Sequence, residues 1–274
     1  MPGRNKAAEI ARDTVEVVRA GRYTTRGGET IHLAHLVRNS IDGTVSYPPD
    51  AALPRVVPSG KATRFEVVDD TTLAVARRLA QAHRVCALNF ASARHPGGGF
   101  LNGARAQEES LCRASALYAC INGNEMYRHH AHPGGLYTNY AIYSPAVPVF
   151  KDDDGELLDE PYPCAFVTSP AVNAGALRHD EDRRQVRREM ADRVEKVLAI
   201  MAGQGHDAVV LGAWGCGVFK NDPEMIADLF AGELRGRFAG VFDVVAFAVL
   251  DSTADGSTIG PFADRFGGVT SPQG

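Results

Sequence analysis

From residue 64 onward, short apolar segments alternate with amphipathic segments of helical period, and this alternation constrains the fold more than any other feature. The segments 85–90 (VCALNF) and 244–250 (VVAFAVL) carry almost no polar residues. Continuous apolar strands separated by amphipathic helices are typical of a sheet that is buried on both faces. We therefore predict strands at 65–70, 85–90, 165–170, 208–214 and 244–250, and helices at 71–82, 108–122, 180–202 and 223–234.

The first 62 residues follow a different pattern. Residues 6–21 predict a helix with a partly apolar face, and the prolines that follow at 48, 49, 54 and 58 prevent any long element. No low-complexity linker separates this part from the rest. We therefore predict one domain, with an N-terminal accessory segment (1–62) and a core (63–274).

Composition excludes several classes of protein. The net charge of −4 does not provide the broad basic surface that binds a nucleic-acid backbone. The longest strongly apolar run, 244–250, is far shorter than the ~20 residues of a membrane span. The N-terminus has no apolar signal core, so we expect a cytoplasmic protein. The cysteines form no CxxC pair and are expected to be free thiols: Cys86, Cys112, Cys120, Cys164 and Cys216.

A glycine-rich loop follows the predicted strand 85–90. It contains Gly97, Gly98 and Gly99 at the carboxyl end of the strand, where open α/β sheets bind their ligands. Consecutive glycines let successive N–H groups turn toward one anion, so the loop predicts a diphosphate site without any lysine. Three glycines also occur in mobile loops without a ligand, and alone they indicate little.

A carboxylate pair follows this loop. Gln107, Glu108 and Glu109 lie at the start of the helix predicted at 108–122. Acids in a first helical turn are common, because they stabilise the helix by ~0.3–1 kcal/mol. The glycine-rich loop adds a functional interpretation, since it brings an anionic ligand within reach of the same turn.

Together the two features resemble a known family. GGG, seven residues and then QEE resembles the signature of poly(ADP-ribose) glycohydrolases, and NFASARHPGGGF resembles the bacterial-type branch. The resemblance implies a three-layer α/β/α macrodomain with a mixed, mostly parallel sheet and an N-terminal helical extension. It also implies hydrolysis of ribose–ribose O-glycosidic bonds in poly(ADP-ribose), releasing ADP-ribose mainly from chain ends, with no metal and no cofactor.

The same resemblance assigns roles. Glu109 matches the catalytic residue, Glu108 the residue that orients the terminal ribose, and Gln107 a residue lining the site. Ser92 stands where the larger animal enzymes have asparagine, which leaves its contact with ribose open. Neighbouring helical side chains diverge by about 100°, so the pair cannot bracket one anomeric carbon. We therefore expect Glu109 to act first as acid and then as base, with its protonation coupled to ligand binding.

A second glycine-rich loop follows the predicted strand 208–214. Gly215, Cys216 and Gly217 permit close approach of the backbone to phosphate. The spacing is not GxGxxG, and no GK[ST] follows, so Rossmann and P-loop sites are disfavoured. In the family that the chain resembles, this loop covers the diphosphate and a following aromatic stacks on adenine. Phe219 matches that aromatic, with Val218 beside it; the alternative is that Phe219 fills the core.

Three further expectations concern single segments. His129, His130 and His132 lack a metal-ligand spacing and predict a surface turn. The polar stretch 150–163 predicts a solvated hairpin tip, and TIGPFADRFGG predicts a short helix from Pro261, placed over the site mouth.

Two classes of alternative function remain open at this stage. One is a hydrolase of mono-ADP-ribose or O-acetyl-ADP-ribose, and the other is a non-catalytic ADP-ribose reader. The expected partners are poly(ADP-ribose), ADP-ribose and ADP-ribosylated proteins in the DNA damage response, with no nucleic acid and no membrane.

Overall fold

The N-terminal part folds as a helical layer with two small strand pairings. The structure, a computed structural model, describes residues 2–58, 60, 62–131 and 134–270. Helix α1 (Arg4–Ala20) ends at Gly21, whose φ of +66° lets its amide close the last turn on Val17 and Val18. Strands β1 (Arg22–Thr24) and β2 (Thr30–His32) form a separate hairpin, and α2 (Ala34–Asp42) leads into β3 (Val45–Tyr47).

The rest of the chain builds one mixed sheet. Its elements are β4 (Arg64–Val68), α3 (Thr72–Leu79), β5 (Val85–Phe90), α4 (Gln107–Ala114), α5 (Leu117–Ile121), α6 (Glu125–His129), β6 (Ala141–Lys151), β7 (Leu157–Ser169), α7 (Asp180–Gly203), β8 (Ala208–Leu211), α8 (Pro223–Arg235), β9 (Val244–Ala248), α9 (Gly260–Phe266) and β10 (Val269–Thr270). The strand order is β10-β4-β9-β8-β5-β7-β6-β3. Pairing is parallel from β10 to β7 and antiparallel from β7 to β3. The predicted mixed, mostly parallel sheet is confirmed.

Two apolar clusters cover the two faces of this sheet. Val210 packs on one face with α1, α3, α4 and α5, while Val209 and Leu211 pack on the other with α7, α8 and α9. The alternation arises because successive side chains of a strand point to opposite faces. The three-layer α/β/α architecture is therefore confirmed. In the described part of the chain, no helix combines the length and apolarity needed to cross a membrane.

The predicted helix 108–122 is wrong in one respect, because it is divided into α4 and α5. Ser115 is extended, with φ −144° and ψ 176°, and pairs with Val149 as an isolated β-bridge. Its Oγ donates to the Leu111 carbonyl at 2.7 Å and accepts from the Leu117 amide at 3.2 Å. A serine that satisfies backbone groups on both sides competes with the helix, so it ends α4 and starts α5.

The N-terminal segment is joined closely to the sheet. Strand β3 pairs with β6 and becomes the edge of the sheet. The buried Lys151 of β6 donates to Asp13 at 2.6 Å, to Thr14 at 2.9 Å and to the Ile10 carbonyl at 3.3 Å, all on α1. Segment 1–62 thus supplies an edge strand as well as a helix. Its separation from 63–274 as an accessory part stays a prediction.

Three predicted local features are present, and the structure adds detail to each. The tip of the β6–β7 hairpin is residues 152–156, but Asp153 is half-buried and accepts a hydrogen bond from Thr71 Oγ1 at 2.6 Å. The strand predicted at 165–170 is the end of the 13-residue β7. Helix α9 forms as predicted and packs against α8 and β4, on the face of the sheet that α7 and α8 also cover.

Candidate active site

Loops at the carboxyl ends of the parallel strands enclose two adjoining cavities. The first, about 330 Å³, is the glutamate cavity, and its lining includes Ser92, Glu108, Glu109, Ala171, Val218 and Phe219. The second, about 300 Å³, is the side cavity, and its lining includes Asp70, Thr72, Arg105, Asp153 and Thr258. Residues that line both cavities mark their junction: Phe90, Ala106, Gln107, Ala213 and Gly217.

Glu108 is buried and held from two sides. One carboxylate oxygen accepts from the Ser92 amide at 2.7 Å, and the other faces Asn89 Nδ2 at 3.4 Å. Burial raises the pKa of Glu108 to about 8, the Ser92 amide partly offsets that rise, and the charge of Glu109 adds to it. At neutral pH the carboxyl of Glu108 is therefore mostly protonated and able to donate a hydrogen bond.

Glu109 has one oriented oxygen and one open oxygen. Oε1 accepts from the Gly99 amide at 2.9 Å. Oε2 is buried and has no hydrogen-bond partner among the described residues. A buried carboxylate oxygen without a partner is costly, so its position calls for a function. The geometry suits a group that exchanges a proton with a bound molecule.

The first glycine-rich loop approaches the glutamates closely. Gly98 has φ +58°, and a Cβ on it would overlap Glu109 Oε1 and lie 3.2 Å from Glu108 Oε2. The Gly98 amide donates to the His95 carbonyl, and the Gly99 amide donates to Glu109. Two of the three amides that we expected to hold a diphosphate therefore hold the loop and the carboxylate instead. Diphosphate binding by Gly97, Gly98 and Gly99 stays a prediction.

Gln107 fixes the start of α4. Its Oε1 accepts from the Phe90 amide at 2.9 Å, and its Nε2 donates to the Leu88 carbonyl at 2.8 Å and to Thr72 Oγ1 at 3.1 Å. These bonds connect α4 to the end of β5 and to α3. Gln107 lines both cavities, and its amide group is used to position the two glutamates.

The second glycine-rich loop is held by Asn221. The buried Asn221 side chain donates to the carbonyls of Val172 at 2.7 Å and Gly215 at 3.2 Å. Gly215 has φ +76°, and a Cβ there would overlap the Asn221 side chain. Burial raises the pKa of the Cys216 thiol to about 12, which agrees with a small inert residue. Sequence reasoning placed Asn221 only at a helix start and missed this role.

Phe219 lies with the glutamates. Its half-buried ring lines the glutamate cavity, and its centroid is 6.3 Å from that of Tyr137. It is not among the residues lining the side cavity. The neighbouring Val218 is 78% exposed. A ring beside the carboxylates is suited to contact a sugar, and adenine stacking by Phe219 stays a sequence prediction.

Sequence reasoning missed one buried polar residue and misplaced another. Asn89 is fully buried at the end of β5, between Glu108 and Thr168 Oγ1, and a lone amide in an apolar strand was the available signal. His130 is buried and accepts from the Thr138 amide at 3.1 Å, so its assignment to a surface turn is wrong. His129 is exposed as expected, and His132 lies outside the described residues.

One group of potential metal ligands lies elsewhere. His83, Asp207 and Asp243 bring three ligand atoms within 4.8 Å of one another at the amino ends of β5, β8 and β9. One oxygen of Asp207 already accepts from the Arg84 amide at 2.8 Å. This group is at the amino ends of the parallel strands, whereas both cavities are at the carboxyl ends, and we assign it no part in the site.

Known proteins of one family are similar to this chain. The family described as "Microbial-type PARG, catalytic domain" matches residues 11–152. A poly(ADP-ribose) glycohydrolase structure from Thermomonospora curvata is 46% identical, with a TM-score of 0.89, covering 96% of this chain and 100% of that one. A second structure of that enzyme, bound to the inhibitor ADP-HPD, is 47% identical, with a TM-score of 0.89 and the same coverage.

A further similar structure comes from another organism. The poly(ADP-ribose) glycohydrolase from Deinococcus radiodurans in complex with ADP-ribose is 42% identical, with a TM-score of 0.80, covering 86% of this chain and 99% of that one. No match is found among curated proteins. From the family match and these identities over nearly the whole length, the chain belongs to the microbial-type poly(ADP-ribose) glycohydrolase family.

Proposed function

We propose that the protein hydrolyses ribose–ribose bonds in poly(ADP-ribose) and releases ADP-ribose, with Glu109 as the acid and base. One observation carries this proposal: Glu109 has an oriented oxygen and a buried, unpartnered oxygen in a cavity large enough for a ribose. Membership of the family supports it, as do the related enzymes bound to ADP-ribose and to ADP-HPD.

The two cavities suggest how the nucleotide lies. The diphosphate is the middle of ADP-ribose, so it belongs at the junction, beside Ala106 and Gln107. Ala106 is the N-cap of α4 and makes no side-chain cap, so the first turn offers its N–H groups to an anion. The terminal ribose then lies in the glutamate cavity beside Phe219, and the adenosine lies in the side cavity.

The reaction follows from the two glutamates. The carboxyl of Glu108, mostly protonated at neutral pH, exchanges hydrogen bonds with ribose hydroxyls and orients the sugar. Glu109 gives its proton to the leaving 2′-oxygen as the bond from that oxygen to the anomeric carbon breaks. The resulting carboxylate takes a proton from water as the water oxygen bonds to the anomeric carbon. Glu109 is restored, and ADP-ribose and the shortened polymer leave.

The rival functions are less well supported. A non-catalytic reader gains nothing from a buried oxygen that lacks a hydrogen bond, because such a group destabilises the fold. Hydrolysis of mono-ADP-ribose or O-acetyl-ADP-ribose would use the same nucleotide cavities and is distinguished by the substrate consumed, because all three reactions release ADP-ribose. Thr258, which precedes α9, lines the side cavity, and this supports our proposal that the polymer is cut mainly at its ends.

The biological setting is also a proposal. We infer that the polymer is carried by ADP-ribosylated proteins in the DNA damage response, and that the protein works in the cytoplasm. Five free cysteines agree with a reducing compartment.

Glu109→Gln tests the acid/base role. We expect hydrolysis of labelled poly(ADP-ribose) to fall at least ~10²-fold, because an amide cannot exchange the proton. The dissociation constant of ADP-ribose, measured by calorimetry, should stay within a few-fold. Glu125→Gln is the control, since that side chain is 76% exposed and outside the site. Turnover retained by Glu109→Gln would refute the role.

Gly98→Ala tests the close approach of the first loop. The new methyl would displace the Glu109 carboxylate, so kcat should fall by at least ~10-fold while the protein stays folded. Gly123→Ala is a matched control, because Gly123 has φ +80° and nothing within 4 Å of its Cβ position. Both variants carry backbone strain of about 1–2 kcal/mol, seen as a similar loss of thermal stability. Equal kcat values in the two variants would contradict the steric argument.

Phe219→Ala separates two placements of its ring. If the ring contacts the terminal ribose, affinity for ADP-ribose falls severalfold, whereas affinity for ADP, which lacks that ribose, is unchanged. If the ring stacks on adenine instead, a contact worth ~1–3 kcal/mol per base is lost, and the affinity for both ligands falls equally. Calorimetric titrations with both ligands decide, and Val218→Ala, at an exposed position, is the control.

The pKa of Glu108 predicts a pH dependence of stability. Because burial raises that pKa from 4.5 to about 8, the folded protein binds this proton more tightly than the unfolded chain does. Its contribution to the free energy of unfolding is complete below pH 4.5, falls by roughly 1 kcal/mol per pH unit above it, and is lost above pH 8. In urea unfolding, the wild type should lose stability relative to the non-titrating Glu108→Gln as the pH rises through this window. Parallel curves would contradict the raised pKa.

A further inference from the structure

The charges that line the two cavities are unbalanced. Four carboxyl groups line them, those of Asp70, Glu108, Glu109 and Asp153, of which Glu108 is mostly protonated at neutral pH. Among the lining residues there is one cation, Arg105. The diphosphate of the proposed ligand brings further negative charge into this acidic surrounding. A positive group close to the phosphates is therefore needed to offset the repulsion.

Arg105 occupies the suitable place. It directly precedes Ala106, the N-cap of α4, and Ala106 lines both cavities. Its side chain is exposed, in contrast to the nearby Arg113, which is buried and donates to Ala104 O and Ser110 Oγ. Arg113 is thus used by the scaffold, whereas Arg105 is exposed and lines the side cavity next to the junction residue Ala106.

Two other cations, Arg94 and Lys220, lie close to Phe219. Arg94 has its guanidinium 5.7 Å from the centre of the Tyr137 ring, which neighbours Phe219. Lys220 follows Phe219 and packs beside Gly175. Neither residue is among those lining the cavities, and the Lys220 amide donates to the carbonyl of the junction residue Gly217 at 3.2 Å.

We propose that Arg105 binds the diphosphate at the junction of the two cavities, together with the first turn of α4. This inference deepens the proposed function and rests on it. A guanidinium donates two parallel N–H bonds to phosphate oxygens, which an ammonium does not. The amides of Gly98 and Gly99 are used within the first loop, so a side-chain cation supplies attraction that the loop backbone does not.

The experiment compares ligands that differ in phosphate content. Wild type, Arg105→Ala and Arg105→Lys are titrated by calorimetry with ADP-ribose, ADP and adenosine at low and at moderate salt. Arg105→Ala should lower the affinity for ADP-ribose and for ADP by about tenfold at low salt and leave the affinity for adenosine unchanged. Arg105→Lys should restore part of the loss. The effect should shrink as salt rises, because an exposed charge is screened.

Two controls and one kinetic measurement complete the design. Arg128→Ala, a change at a side chain that is 77% exposed on α6, and Lys220→Ala should bind all three ligands as wild type does. With poly(ADP-ribose), Arg105→Ala should raise KM about tenfold and change kcat less than twofold, because the glutamates are intact.

The outcomes separate this inference from the proposed function. Unchanged binding of ADP by Arg105→Ala, or an equal loss for adenosine, would overturn the role of Arg105 while wild-type hydrolysis still stands. If Lys220→Ala loses affinity for ADP-ribose and ADP instead, the phosphate-binding cation is Lys220 in the second loop, and the role of Arg105 is overturned. Failure of the wild type to hydrolyse the polymer would refute the proposed function, and this inference with it.

Discussion

The hydrogen bonds of Gln107 are the constraint on which the site depends. They connect the first turn of α4 to the backbone of Leu88 and of Phe90, at the carboxyl end of β5. Since β5 is a central strand, paired on both sides, its end is a rigid reference point. Glu108 and Glu109 follow Gln107 directly, so their positions relative to the sheet are set before any ligand binds. Preorganisation of this kind is what a proton-transfer group requires.

Burying two adjacent carboxyl groups is costly, and the structure offsets the cost in two ways. Backbone amides of Ser92 and Gly99 each donate to one of the glutamates. Burial also shifts the pKa of Glu108 upward, so that Glu108 keeps its proton and the two groups are not both charged. Glu108 is enclosed more completely than Glu109, and its raised pKa leaves it a proton with which to form a hydrogen bond.

The sequence was sufficient for the strands and helices whose pattern is periodic and apolar. Strands β5 and β9 and helices α7 and α8 were predicted to within a few residues, because burial on both faces leaves a continuous apolar run. The resemblance implied a mixed sheet, but the sequence pattern did not predict strands β3 and β6 of its antiparallel edge. Strands β6 and β7 contain prolines and bulges that interrupt the alternation, and the edge strand β3 has three residues. The division of α4 from α5 depends on a tertiary pairing between Ser115 and Val149, which no local pattern shows.

The sequence predicted which segments lie close together at the site, but it did not predict which hydrogen bonds their individual atoms make. The spacing of GGG and QEE brought the correct residues together, since both follow β5. Which amide meets which carboxylate is a matter of tenths of an ångström, and composition does not specify it. The buried amides of Asn89 and Asn221 were missed for the same reason, because their partners lie up to 79 residues away in the chain.

The two glycine-rich loops need glycine for different reasons. At Gly98 the scaffold itself requires it, because φ is +58° and a Cβ would overlap Glu109. At Gly217 nothing lies within 4 Å of the Cβ position, and its φ is not in the left-handed region. The scaffold therefore does not exclude a side chain at Gly217, yet this residue lines both cavities at their junction. A bare backbone at that place is explained by close approach to a ligand, and the junction is where the diphosphate is proposed to lie. The first loop thus shapes the surroundings of the two glutamates, and the second leaves the junction of the cavities open.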